Sequence, residues 1–223
     1  MGNSYITLTE VDRTILSSYQ VCIDGLAEYL GDGYEIILHS LENLDKSVIK
    51  AINGHYTGRS EGAPITDFAL GMLKKIQESK QPQSISYFTK NKNGETLKST
   101  TIPILGEQGR IIGLLCINFH TEISLAAFLA SLTPPQDGTS PIIETFSDNV
   151  DDLIAAALAE AKSRVLVNPS ISTSNKNKVI IGQLYAKGVF NLKDSVIKVS
   201  EMLDISKNTV YLHLRNLDKQ HDL

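Results

Sequence analysis

The residues best suited to contact a nucleic acid lie in one segment near the end of the chain, EMLDISKNTVYLHLRN at 201–216. A short turn separates two stretches with helical spacing, and Ser206 stands where it can cap the second helix. The first residues of that second helix are hydroxyls, amides and cations, which bind base edges and phosphates. We expect DNA contacts from Ser206, Lys207, Asn208, Thr209, Tyr211 and Arg215.

Three helices must hold these side chains in place. They are predicted in NKVIIGQLYAK, which ends at Gly188, in LKDSVIKVSEML, and in KNTVYLHLRN. Small Ser200 allows the last two helices to approach closely, Ile205 fills the corner, and Val210 and Leu214 anchor the final helix. The pattern favours a helix-turn-helix. The alternative is an amphipathic helical hairpin that never meets DNA.

Two residues depart from the usual pattern of a helix-turn-helix. Asp204 occupies the turn position that glycine normally fills, where the backbone is often left-handed, and Asp tolerates that conformation better than most residues. Leu212 should point outward, where a basic residue would help to bind phosphate. Its side chain could instead touch a thymine methyl group or weaken phosphate binding.

A second set of polar residues lies on or beside predicted strand ends in the first part of the chain. Arg59 suits a carboxylate and Asp67 suits an amine or guanidinium, so an amino acid or related metabolite is the expected ligand. The candidates are His39, Asn53, His55, Arg59, Thr66, Asp67 and Asn118. The alternative is structural: Asn53-Gly54 forms a turn, Thr66-Asp67 caps a helix, and His39 belongs to the core.

An α+β domain is predicted to carry these residues. Residues 10–30 form a helix that ends near Gly31, YEIILH forms a strand, and another helix follows Pro64. Three strand-like runs joined by glycine turns, at 84–119, predict an antiparallel meander. We expect one sheet with helices packed on one side, an order shared by PAS and GAF sensor modules.

Charge divides the chain of 223 residues, whose formal net charge is −4. Residues 1–169 carry −7 and residues 170–223 carry +3, so a basic tail follows an acidic body. We therefore predict a sensor domain at 1–130, a loop, connecting helix and linker at 131–173, and a DNA-binding domain at 174–223. The connecting helix, at about 141–166, is expected to dimerise, because one module contacts only half of an operator.

Other classes of protein find little support in the sequence. HExxH, GxSxG and P-loop patterns are absent, and Cys22 and Cys116 do not form a metal-binding pair, so we expect no enzyme, cofactor or metal. No secretory signal is visible, and the longest apolar run, IIGLLCINF, is too short to span a membrane. A reduced cytoplasmic protein is expected.

The chain resembles the YheO-like family of bacterial transcriptional regulators. The resemblance rests on GYEIILHSLENLDKSVIKAINGHYTGRSEGAPITDFAL, on LKSTTIPILGEQGRIIGLLCIN, and on AKGVFNLKDSVIKVSEMLDISKNTVYLHLRN. It implies an N-terminal PAS-type domain, a C-terminal helix-turn-helix, regulation of transcription and, in some members, repression that answers to a small metabolite. A sensor that acts through a protein partner instead of DNA is the alternative.

Overall fold

A computed structural model describes residues 5–79, 82–133 and 144–221. The chain divides into two compact units, residues 1–136 and 137–223. Most of the loop predicted at 132–141 lies outside the described residues.

The N-terminal unit contains one five-stranded antiparallel sheet with strand order β2-β1-β5-β4-β3. The predicted meander is formed by its last three strands. The strands are β1 (Tyr34–Ser40), β2 (Val48–Ile52), β3 (Ile85–Lys90), β4 (Thr96–Leu105) and β5 (Ile111–His120). The helices are α1 (Glu10–Leu30), α2 (Asp67–Ser79) and α3 (Leu125–Ser131). The α+β class is confirmed.

Helix α1 begins and ends where its sequence predicts. Thr9 and Asp12 form a reciprocal capping box, in which each side chain accepts a hydrogen bond from the other residue's backbone N–H, at 3.2 and 2.9 Å. Gly31 ends the helix with a φ of 77°, a conformation that favours glycine. The helix begins and ends on local signals alone.

Helices pack against both faces of this sheet, whereas the sequence indicated one side only. Leu16 and Ile23 of α1 pack with Leu38 and Leu115. Helix α2 packs with Leu114, the next residue along β5, and successive strand residues point to opposite faces. The prediction was wrong because both faces of β1 and β5 are largely apolar, so their sequences carry no alternation that would mark an open face.

The C-terminal unit is all helical. Its helices are α4 (Val150–Leu166), α5 (Lys176–Ala186), α6 (Ser195–Met202) and α7 (Lys207–His221). Leu158 and Val165 of α4 share one core with Leu184 of α5 and Val199 of α6. The sequence suggested a connecting helix here, but in the structure α4 supplies part of the core of this unit, because its apolar residues fall on one stripe.

Candidate functional site

The turn between α6 and α7 has the geometry that a helix-turn-helix requires. Asp204 is left-handed, with a φ of 53°, as its position in the turn predicted. Ser200 is buried, and its carbonyl accepts a hydrogen bond from the Ile205 N–H at 3.0 Å. Ser206 caps α7 by accepting a hydrogen bond from the Thr209 N–H at 3.1 Å. These contacts fix the angle at which α7 leaves the turn.

The first two turns of α7 present polar side chains to solvent. Lys207, Asn208, Tyr211 and Arg215 are exposed, while the Thr209 hydroxyl lies 2.9 Å from that of Ser206. Val210 is fully buried beneath them and holds the helix against its unit. Leu212 is also exposed, as expected, so the polar surface contains one large apolar side chain.

Several cations of the C-terminal unit are already engaged within it. Lys187 and Arg164 both contact the carboxylate of Glu160, at 2.5 and 2.6 Å. The hydrogen bond from Lys187 holds the pKa of Glu160 below its usual value. Lys198 contacts Asp151. Within the described residues Lys207 and Arg215 form no ion pair, so both are available to an external anion.

A cavity of about 460 Å³ lies on the face of the sheet opposite α1. Four of the residues predicted to bind a ligand line it, namely Arg59, Thr66, Asp67 and Asn118. Phe68 and Tyr87 form an aromatic wall, with ring centroids 4.0 Å apart. The volume falls in the range of small-molecule sites, roughly 300–1,000 Å³. The cavity therefore has the size and the mixed lining of a binding pocket.

A row of polar side chains crosses the sheet beside this cavity. Tyr87, Ser99, Asn118 and Glu35 are consecutive partners in register on β3, β4, β5 and β1. Residues paired in this way point to the same face of a sheet. We call these four residues the polar row; it places hydrogen-bonding groups on a face that is otherwise largely apolar.

Glu35 is the charged end of the polar row, and it is fully buried. One of its carboxylate oxygens accepts a hydrogen bond from the Thr57 hydroxyl at 2.5 Å. The other oxygen accepts from Asn118 Nδ2 at 2.5 Å and from Arg59 Nη2 at 2.8 Å. Arg59 Nε also donates to the Thr57 hydroxyl at 2.8 Å. A buried carboxylate needs such partners, since an unpaired charge is costly away from water.

The loop at 53–62, which carries Thr57 and Arg59, is fastened at several points. Asn53 is left-handed, with a φ of 53°, and its side-chain amide donates to the Tyr34 carbonyl at 2.9 Å. Asn91 Nδ2 holds the Tyr56 carbonyl at 2.8 Å. A Cβ at Gly54 would lie 2.0 Å from the Arg59 carbonyl oxygen, so only glycine fits there. The Asn53-Gly54 turn is confirmed.

The remaining candidates for ligand binding lie away from the cavity. His39 is buried and its Nδ1 is 2.8 Å from the Ser47 hydroxyl. Burial, with a smaller contribution from the charge of Arg59, lowers the pKa of His39 to about 4. His55 is exposed, with its ring 4.3 Å from that of Tyr56. Asn53 belongs to the turn, so the contacts of all three residues are with other parts of the protein.

Thr66 and Asp67 contact the beginning of α2 and also line the cavity. Each lines the cavity, and each also accepts a hydrogen bond from the first turn of α2: Thr66 from the Ala69 N–H at 3.3 Å, and Asp67 from the Phe68 N–H at 2.8 Å. The capping role is therefore real, and the two side chains reach the cavity because α2 begins at its edge.

Sequence reasoning missed Glu35, Ser99 and Tyr87. Glu35 did give a signal, because it is the one charged residue in the apolar strand YEIILHS. Ser99 and Tyr87 gave none, since alternation of polar and apolar residues is ordinary in the strands that contain them. Their importance comes from pairing across strands, which a linear sequence does not display.

The two cysteines occupy opposite environments. Cys22 is exposed on α1, whereas Cys116 is buried at the cavity and lies 3.5 Å from the Thr101 hydroxyl. Burial raises the pKa of the Cys116 thiol above its ordinary value. No group of three or more metal-ligating side chains occurs among the described residues. In the same part of the chain, no helix is long and apolar enough to cross a membrane.

Comparison with known families accounts for both units. The family described as YheO-like PAS domain matches residues 9–134, and a family described as HTH domain matches residues 153–215. The second match begins within α4, in agreement with the packing of that helix into the C-terminal core. A PAS domain joined to a helix-turn-helix is the architecture of a DNA-binding regulator.

Relatives extend over nearly the whole chain. An uncharacterized protein of Haemophilus influenzae is 38% identical over 222 residues, which cover 99% of each chain. YheO of Escherichia coli is 39% identical over 206 residues, covering 92% of this chain and 86% of its own. The transcriptional regulator DauR of Pseudomonas aeruginosa is 24% identical, covering 93% and 96%. The chain belongs to the YheO-like PAS domain family.

Proposed function

We propose that this protein regulates transcription by binding an operator through α7, under the control of a small molecule bound in the PAS cavity. The observation that carries the proposal is the capped α7, which follows a left-handed turn and presents uncompensated cations and amides at its exposed beginning. The similarity to a protein named as a transcriptional regulator supports it.

Docking of α7 in the major groove divides the exposed side chains into two groups. Lys207 and Arg215 neutralise phosphates, which supplies affinity without sequence preference. Asn208 and Tyr211 reach base edges, and the hydroxyls of Ser206 and Thr209 bind beside them. One unit contacts a half-site, so we expect a homodimer on a two-fold symmetric operator.

The effector is a small polar metabolite, an amino acid or a related compound. Arg59 and Asp67 both line the cavity and carry opposite charges, which suits a molecule that has an acidic and a basic group. Occupancy controls DNA binding if the effector has different affinities for the conformations that bind the operator well and badly.

A protein partner is the second candidate for the C-terminal unit. Tyr211 and Leu212 are adjacent on α7 and are 52% and 55% exposed, which gives the helix an apolar surface as well as a polar one. Aromatic and large apolar side chains are typical of protein interfaces. Binding that does not weaken with salt, as DNA binding should, would favour a protein partner.

Measurement of DNA affinity at several salt concentrations tests the proposal. The DNA is the region upstream of the protein's own gene, and the full-length protein is compared with a Lys207→Ala/Arg215→Ala variant. The slope of log K against log salt is negative, and each lost phosphate contact should make it shallower by about 0.9. The slope of the double variant should therefore be shallower by about 2.

A matched control keeps the loss of charge but moves it to the other unit. Lys74 and Lys75 are exposed on α2, and Lys74→Ala/Lys75→Ala should leave both affinity and slope unchanged. Salt-independent binding by the wild type, or equal slopes in all three proteins, would contradict the proposed docking. No binding by any of them would point to a required effector or to a protein partner for α7.

A further inference from the structure

Unused hydrogen-bond donors outnumber unused acceptors at the charged end of the polar row. Arg59 has five N–H donors, and its described oxygen contacts use only Nε and Nη2. The thiol of Cys116, a weak acceptor, is a further neighbour. Glu35 already accepts three hydrogen bonds. Spare capacity therefore lies mainly on the cation.

Two lysines add to the positive charge around Arg59. Lys90 and Lys92, at the end of β3 and just beyond it, line the same cavity. The ammonium of Lys92 lies over the loop that carries Arg59, since a Cβ at Gly58 would be 2.7 Å from Lys92 Nζ. The lining thus holds three cations and Asp67, with Glu35 buried behind Arg59. An anion fits this balance better than a cation.

We propose that the cavity binds a small organic monocarboxylate, with the carboxylate on the free donors of Arg59 and an apolar or planar body against the wall of Phe68, Tyr87 and Leu97. This inference rests on the proposed effector site and names the chemistry of its ligand. The planar guanidinium of Arg59 matches the two oxygens of a carboxylate.

Glu35 narrows the choice of anion. Its carboxylate lies directly behind the Arg59 guanidinium, at 2.8 Å, and is fully buried. A dianionic phosphate would place two negative charges near this third one, whereas a carboxylate adds a single charge. Three cations against the carboxylates of Asp67 and Glu35 leave a net positive charge at the cavity, which disfavours a simple amine without a carboxylate.

Ser99, in the middle of the polar row, adds to the hydrogen-bonding capacity beside the cavity. Its hydroxyl is buried, and no hydrogen-bond partner for it exists among the described residues. Ser99 pairs in register with Tyr87 and Asn118, which both line the cavity. Because a buried hydroxyl without a partner is unfavourable, the middle of the polar row has unused hydrogen-bonding capacity beside the cavity.

Four probes that share one aromatic ring test the choice of head group: benzoate, benzamide, benzylamine and phenyl phosphate. Their affinities for the full-length protein are measured by calorimetry. We expect benzoate to bind at least about tenfold more tightly than each of the others, since charge-assisted pairing with Arg59 is available to it alone at low cost. Absence of benzoate binding, or tightest binding by benzylamine or phenyl phosphate, would overturn the proposal.

Two variants locate the carboxylate. Glu35→Gln/Arg59→Gln replaces the buried ion pair by two uncharged amides, and benzoate and benzamide should then bind about equally well. Lys98→Gln removes a cation from the opposite face of β4 and should keep the wild-type preference. A double variant that is folded, as judged by circular dichroism, and still prefers benzoate would overturn the assignment. If it does not fold, the order of the probes on the wild type decides.

Failure of this inference is distinguishable from failure of the proposed regulator. Selective benzoate binding without salt-dependent DNA binding would retain the carboxylate site and reject the operator. Salt-dependent DNA binding without any preference for benzoate would retain the regulator and reject the carboxylate site.

Discussion

The interiors of the two units differ in what they bury. The described part of the N-terminal unit buries nine polar or charged residues, among them Glu35, His39, Ser99 and Asn118, whereas that of the C-terminal unit buries two serines. Its core is otherwise built from aliphatic side chains. Polar side chains in the C-terminal unit are concentrated on its surface, at the beginning of α7.

This difference agrees with the two binding sites proposed above. Burying polar groups is costly unless they find partners, so an interior that contains many of them is suited to binding from within. An apolar core instead leaves function to the surface and makes the unit a rigid support for it. Substitutions that remove the interior charge, the apolar core, or the features that distinguish α7 test this difference between the two units.

The largest effect should follow removal of Arg59. Arg59→Leu leaves Glu35 buried without its cation, and breaking a buried ion pair in this way costs about 3–5 kcal/mol. Chemical denaturation measures the loss, and hydrogen exchange of β1 and β5 assigns it to the N-terminal unit. The double variant Glu35→Leu/Arg59→Leu should recover most of the stability, because two apolar residues replace the pair. An equally unstable double variant would show that shape, not charge, holds the loop.

A core substitution in α4 tests the apolar interior of the other unit. Leu158 is fully buried against α5 and α6, so Leu158→Ala should destabilise the C-terminal unit by about 2–5 kcal/mol. Leu166→Ala, on the exposed end of the same helix, should change stability little. Thermal unfolding compares the two. Equal effects would mean that α4 is a connector outside the core.

The stability of the N-terminal unit should fall as the pH is lowered through the range from 6.5 to about 4. The folded-state pKa of His39 is about 4, below its ordinary value of 6.5, so in this range the unfolded chain binds a proton that the folded one does not. The loss is at most about 3 kcal/mol. His39→Asn should flatten the dependence, measured by denaturation at each pH. His55→Asn, at an exposed site, should leave it as in the wild type.

The smallest effect concerns the turn before α7. Asp204→Gly should stabilise the C-terminal unit by about 1 kcal/mol or less, because glycine adopts the left-handed conformation without strain. Asp204→Asn keeps the side chain and removes the charge, so it should raise DNA affinity with little change in stability. Melting temperature and operator affinity of both variants separate strain from charge. A destabilised glycine variant would show that the Asp204 side chain is itself needed.

Local chemistry explains which features the sequence could predict. The capping box of α1, the Asn53-Gly54 turn and the left-handed Asp204 depend on neighbouring residues. The turn and the conformation of Asp204 were predicted, and the capping box could have been. Contacts between residues that are far apart in the sequence could not be predicted from it. Arg59 meets Glu35, 24 residues away, only because the loop lies against one face of β1. Which face it takes is decided by packing of the whole sheet.

The same limit applies to α4 and to the ligand candidates. A periodic apolar stripe predicts a helix with one buried face, but it does not identify what covers that face. Polar residues at strand ends predicted a cavity, yet His39, on the same face of β1 as Glu35, lies further along the strand beside Ser47, and the turn holds Asn53 outside the cavity. The sequence therefore supplied the fold class and part of the site, and pairing across strands supplied the rest.

The two cysteines differ enough in exposure for thiol labelling to report on the opening of the cavity. At neutral pH a thiol-reactive dye should modify Cys22 at once, because it is exposed, and should spare Cys116, whose thiol is buried with a raised pKa. Cys116 lines the cavity, so its slow modification would record each opening of the pocket. The labelling rate of one native atom thus serves as a clock for pocket opening, with Cys22 as the internal standard.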